Sequence, residues 1–249
     1  MSFDSTLLVA FFAAFLRCSG MVLAGPLFGQ SGVPVVIRVF FSAALSLALA
    51  PLLYGSISVP NNLYDFFTLC IHEIAFGVVI GFLAYLAISV AEMAGSLLDL
   101  KVGLSMSAIL APNTMLPPSV IARFKFMLAL MMLLTLNGHH IMIQAIASSY
   151  KTSTMLSLSS VNETLMPAIS QMSLIAVQIA LPVVAVTFVV DACLGILSRA
   201  VPQINVLMVG MPAKIWAGLL TLSIALPTIG YAISIGIDRA NEWVLQIIK

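Results

Sequence analysis

A chain of 249 residues that is 61% hydrophobic and only 8% charged, with a net charge of +1, lies far from soluble domains, which carry about 25% charged residues. Ten basic and nine acidic side chains cannot cover a water-facing surface of this length, and the mean hydropathy of +1.16 points to lipid or an apolar partner as the surroundings. This composition excludes a soluble enzyme, and the near-neutral balance leaves no basic field for nucleic acid.

Apolar stretches of about 20 residues cross a hydrocarbon core of about 30 Å as helices. Asp4 is the only charge ahead of the first run and Arg17 interrupts it. A cleavable signal peptide does not have that pattern, so this helix is expected in the mature protein. It covers residues 6–23 and is closed by Gly25, Pro26, Gly29, Gly32 and Pro34. The second covers 35–53. A polar loop at 55–62 follows, in which Pro60, Asn61 and Asn62 signal a turn, and Asp65 suits the first turn of the next helix. Residues 63–102 contain no proline and no turn signal. As one helix they would be about 60 Å long, about twice the bilayer core. The stretch therefore bends near Gly77 and Gly81, projects beyond the membrane, or does not sit in a simple bilayer. The same two glycines form a GxxxG pair suited to close helix contact.

Residues 103–119, GLSMSAILAPNTMLPPS, break the helical pattern with Pro112, Pro117 and Pro118 but remain apolar. Such a segment cannot leave its backbone unsatisfied in lipid, so it must lie against protein or line a cavity. Gly103, Ser105, Ser107 and Ala108 are small enough to let it repack. Met106, Ile109, Leu110, Met115 and Leu116 could shut a lumen to water, as hydrophobic constrictions do. Residue chemistry alone favours a static packed connector. Met127, Met131 and Met132 lie nearby in sequence; core filling is the plain reading and a deformable seal the sharper one.

A fourth helix is predicted over 120–148, followed by a water-exposed Ser/Thr-rich linker at 149–162. The fifth covers 163–200, with Pro182 as a kink. Pro202-Gln203-Ile204-Asn205 makes a tight connection, and the sixth covers 212–248 with a kink at Pro227. Its end is amphipathic, and Trp243 suits a headgroup belt. With six alternating crossings, Arg38, Lys101, Arg123, Lys125, Arg199 and Lys214 fall at one end, against Lys151, Arg239 and Lys249 at the other. The positive-inside rule then places connections 25–34, 103–119 and 201–212 in the cytoplasm.

Arg17, Glu73, Glu92, Asp99 and Asp191 interrupt apolar sequence and are the candidate buried charges. Each costs about 2.5–3.5 kcal/mol at the centre of a lipid-facing helix, so they must pair or face water. Interhelical pairing, Arg17 with a carboxylate, is the plain reading; a polar lumen or proton path is the functional one. Asp99 and Lys101 are placed at a helix end, where solvation is easy. His72-Glu73 opens a zinc motif that Phe76 leaves incomplete. His139 and His140 point to different helix faces. Gly29-Gln30-Ser31-Gly32 lacks the spacing of a nucleophile elbow. Cys18, Cys70 and Cys193 form no metal or redox motif. No catalytic residue, metal ligand or cofactor is predicted.

Several segments, in order, resemble one family. They are Arg17, Gly20, Pro26, Pro34 and Arg38; Ala94-Gly95 through Gly103-Leu104-Ser105; Ala111-Pro112; Ile121-Ala122-Arg123; Leu136-Asn137-Gly138-His139; Arg199 through Asn205; and Val209-Gly210-Met211-Pro212. The set resembles the FliR family of flagellar biosynthesis proteins, whose injectisome counterpart is SctT-like. Ala111 departs from the aspartate often expected there. The resemblance implies an all-α, polytopic subunit of the type III export gate in the bacterial inner membrane, at the flagellar basal body. FliP-like and FliQ-like partners would complete the gate, FlhB-like and FlhA-like proteins would adjoin it, and unfolded flagellar proteins would pass through. It implies a fused chain, with residues 1–162 FliP-like and 163–249 a FliQ-like hairpin. It makes 103–119 a pore plug and places Arg199, Pro202, Gln203, Asn205 and Lys214 at a cytoplasmic partner-contact turn. Two other classes stand beside it: a stand-alone ion or small-molecule transporter using Glu73, Glu92 and Asp191, and a membrane scaffold.

Overall fold

The computed structural model describes residues 5–29, 32–53, 60, 62–105, 119–150, 158–203 and 205–248, and every regular element among them is helical. In chain order they are α1 (Ser5–Ala24), α2 (Val35–Leu49) with a 3-10 turn (Ala50–Leu53), α3 (Leu63–Val102), α4 (Val120–Thr135), α5 (Gly138–Ser149), α6 (Leu158–Ala200) and α7 (Val206–Ile248). By length and composition α1, α3, α6 and α7 can each cross a membrane, and the bent pair α4–α5 makes up to five spans. The chain is an all-α polytopic membrane protein. The described residues thus hold four or five such spans, fewer than the six assumed for the charge count. At 15 residues α2 is about 22 Å long and continues into the 3-10 turn as far as Leu53.

Residues 63–102 form one uninterrupted 40-residue helix. Two other expectations change. The single helix over 120–148 is instead two, bent by 61°. Asn137 adopts the left-handed region at φ 57, which asparagine tolerates better than most residues, and its carbonyl accepts the N–H groups of His140 and Ile141 to start α5. α6 and α7 begin earlier than predicted and stay helical through Pro167, Pro182, Pro212 and Pro227. α7 starts at Val206 because the Asn205 carbonyl accepts from Met208 and Val209.

The chain divides into two compact units, Met1–Ala87 with Leu133–Ser170 and Ile237–Lys249, and Ile88–Met132 with Gln171–Gly236. In the first, Ala10, Ala13, Ala14, Cys18 and Met21 form the buried stripe of α1, at the three-and-four spacing of one helix face. Gly20 of α1 meets α3 backbone: a Cβ there would sit 2.6 Å from the Ile74 carbonyl oxygen. A Cβ on Gly77 would collide with the Arg17 carbonyl, and one on Gly81 would lie 2.6 Å from that of Met21. The GxxxG pair thus serves the α1–α3 contact. α2 packs on α1, and the Phe28 and Phe41 rings lie 4.4 Å apart. The end of α7 buries Ala240, Trp243 and Val244 while Asp238, Arg239 and Glu242 stay exposed. The end is amphipathic as expected, but Trp243 packs inward and not toward a headgroup layer.

In the second unit Ala91, Ala94, Leu98 and Val102 of α3 are buried, as are Ile121, Ala122, Phe126 and Ala129 of α4. Gly95 lets α3 touch α4, since a Cβ there would collide with the Ala122 backbone. α6 contributes Ala176, Ile179, Ala180, Val183 and Thr187, again one stripe.

Candidate functional site

The first polar cluster lies in the unit containing α1. Arg17 and Glu73 are 3% and 5% exposed, so neither charge is solvated and each depends on its partners. The Arg17 Nε donates to Glu73 Oε2 at 2.7 Å and Nη2 donates to Oε1 at 2.9 Å, the two-point geometry that a planar guanidinium and a carboxylate favour. Nη1 donates to Ser149 Oγ at 2.6 Å, and the Ser149 hydroxyl in turn donates to the Ile146 carbonyl oxygen. The Tyr150 hydroxyl donates to Glu73 Oε2 at 2.7 Å. Burial pushes the Tyr150 phenol upward, so it stays protonated and remains a donor. The guanidinium lies between two rings, 4.4 Å from the centre of Phe76 and 3.7 Å from that of Tyr150. The cluster joins α1, α3 and the end of α5, and it meets the expectation that Arg17 pairs with a carboxylate.

The second cluster lies in the other unit. Asp99 is 1% exposed, which corrects its placement at a solvated helix end. Its carboxylate accepts the N–H of Ile121 at 3.2 Å and of Ala122 at 3.0 Å. These are first-turn donors of α4, which have no partner within their own helix. Lys125 is equally buried, at 1% exposure, and its Nζ has no hydrogen-bond partner among the described residues. Its assignment to a charged membrane edge is therefore corrected. Glu92 and Asp191, expected among the buried charges, are exposed. Asp191 accepts a 2.7 Å ion pair from Lys214, so Lys214 is tied to α6 and not to the connecting turn. Arg199, Pro202, Gln203 and Asn205 are all exposed. Of the 103–119 segment, Gly103, Leu104 and Ser105 are half-buried. Met106, Ser107, Ala108, Ile109, Leu110, Pro112 and Met115 lie outside the described residues.

Sequence reasoning missed Ser149, Tyr150 and Lys125. The first two were placed in a solvated linker, because the Ser/Thr-rich composition of 149–162 dominates that window. Lys125 carried a visible signal: Phe124 and Phe126 flank it, which sets it within an apolar helix. His139 and His140 share a hydrogen between Nε2 and Nδ1 at 2.9 Å, beside the α4–α5 bend.

The model for "Bacterial export proteins, family 1" matches residues 8–240. The chain belongs to this family. Among this export family's curated members, the flagellar biosynthetic protein FliR of Bacillus subtilis (strain 168) is 32% identical over 235 residues, covering 88% of this chain and 87% of the relative. FliR of Caulobacter vibrioides is 28% identical over 232 residues, covering 92% and 91%. FliR of Escherichia coli (strain K12) is 27% identical over 227 residues, covering 88% and 85%. The FliR resemblance therefore stands, and the chain is a membrane-embedded flagellar export protein of this family.

Proposed function

We propose that the chain is a subunit of the flagellar type III export gate. With FliP-like and FliQ-like partners it forms the channel that passes unfolded flagellar proteins across the inner membrane, next to FlhB-like and FlhA-like proteins. The carrying observation is the export-family match across residues 8–240. The helices add support. The most apolar window of α3 is 61% buried, but those of α6 and α7 are only 28% buried. Their open faces carry large apolar groups such as Phe188, Ile196, Trp216 and Ile224 and call for lipid or partner helices. We assign residues 1–162 to the FliP-like part and 163–249 to the FliQ-like hairpin. The exposed turn with Pro202, Gln203 and Asn205 is the cytoplasmic contact, and 103–119 is the plug of the channel. The transporter reading gains no support from pairing: Glu73 is held by Arg17 and Asp191 by Lys214.

The test deletes Met106 to Leu110 in cells that hold all gate components. Ion leak and substrate export are read alongside co-purification of the gate. Leak from an assembled gate is the expected result. A gate that assembles, stays tight and exports normally makes the segment a connector only. Failure of the chain to co-purify with FliP-like and FliQ-like proteins in a fixed ratio overturns the gate reading itself.

A further inference from the structure

In the first unit a cavity of about 250 Å³ lies between α1, α2, the end of α4 and the first half of α5. The buried Met21 and Val22 of α1 and Met142 of α5 line it, and the paired rings of Phe28 and Phe41 form one wall. Among the described residues His139 is the single polar side chain of the lining. Its Nε2 is engaged by His140, and its Nδ1 is buried with no hydrogen-bond partner among the described residues. A buried water makes about three hydrogen bonds, which this lining does not offer. Left empty, the cavity would forfeit packing contacts on every side. A dry apolar cavity of about 150 Å³ takes up benzene, so by proportion one of 250 Å³ has room for about ten chain carbons. Leu134 at its edge is exposed, as is Phe40 beside Phe41, so the cavity continues onto outward apolar surface of a chain that sits in a membrane.

We propose that this cavity is a lipid site, which takes the acyl chain of a membrane phospholipid and leaves the headgroup outside. A polar ligand is disfavoured, because the lining has almost nothing to replace the hydration it would lose. An acyl chain loses no hydration on entering, and the bilayer supplies it at high local concentration. Bound there, the chain touches α1, α2 and α5 together and favours the native arrangement by mass action. The inference needs the membrane setting and is independent of the gate reading.

The experiment uses the full chain, purified with whatever partners accompany it and placed in vesicles of phosphatidylethanolamine and phosphatidylglycerol. One acyl chain of these lipids carries a photoreactive group near its end. After illumination, lipid adducts are mapped by mass spectrometry. Adducts are expected on Met21, Val22 and Met142, which line the cavity and are buried. Val22→Trp and Ile143→Trp each fill the cavity from a different helix. In either variant the lining adducts should fall about tenfold, because an added indole leaves the chain outside. Adducts confined to outward residues such as Phe40 and Leu47 report surrounding lipid only and overturn the site. Lining adducts that both tryptophan variants leave unchanged overturn it as well. If neither variant can be purified, the unaltered protein decides alone, by adducts on the buried lining or their absence there.

Discussion

At the scale of residues, the Arg17 charge is buried with a partner for each of its polar groups, whereas the buried Lys125 ammonium has no hydrogen-bond partner among the described residues. Arg17 spreads its guanidinium over Glu73, Ser149 and two aromatic faces. Removing one partner of a buried pair strands the other, at a cost of about 3–5 kcal/mol. Glu73→Gln should therefore lower the thermal aggregation midpoint of the purified gate strongly. Arg17→Met combined with Glu73→Leu should recover most of that loss, since neither charge then remains. Equal loss in the single and double variants would show that the cluster acts otherwise than as a charge pair. Tyr150→Phe keeps the stacking and removes one bond to a charged acceptor, worth about 1.5–3 kcal/mol; a smaller fall than for Glu73→Gln is expected in the same assay.

At the scale of elements, glycine has opposite meanings in different helices. Gly77 is the place where α3 meets the α1 backbone, so Gly77→Ala forces the helices apart and should cost about 1–3 kcal/mol, as overpacking does. A Cβ on Gly195 in α6 or Gly230 in α7 would meet nothing within 4 Å. Alanine at either position should stabilise its helix by about 0.5–1 kcal/mol. The midpoint of detergent-solubilised gate should move down for the first substitution and up for the other two; a rise for Gly77→Ala would count against backbone contact there. The turn between α6 and α7 makes a separate claim. A cysteine replacing Asn205 should crosslink to the FlhB-like subunit and react with a membrane-impermeant reagent from the cytoplasmic side. Labelling solely from the other side sinks that placement.

At the scale of the molecule, apolar surface dominates. Most of the strongly apolar windows of α6 and α7 is unburied within the chain, and exposed apolar patches of such extent mark interaction sites or aggregation hazards. Expressed without partners, the protein should aggregate or be degraded. A monodisperse, heat-stable monomer in mild detergent would instead indicate that lipid alone satisfies those faces. The family match spans both compact units.

The all-helical class, the membrane setting and the bounds of α3 were legible in residue order, because hydropathy and the absence of proline over 63–102 are properties of neighbours along the chain. The family resemblance was legible for the same reason: it rests on an ordered series of short segments. Charge fates were legible only in kind. That Arg17 would need a carboxylate follows from the cost of burying it, but the choice of Glu73, 56 positions away, depends on how α1 and α3 meet at Gly20, Gly77 and Gly81. Tyr150 and Ser149 looked solvated because local composition outweighs a contact that closes across 77 and 132 positions. The break at Asn137 hid inside an apolar run, since one left-handed residue leaves hydropathy unchanged. Asp99 looked like an ordinary helix end, and only the return of α4 against Gly95 makes its side chain the cap of another helix. Local sequence thus decided which segments are helical and apolar. Tertiary structure decided which helix ends and charges meet, because a buried polar group is stable only with a partner, and here that partner is set by distant packing.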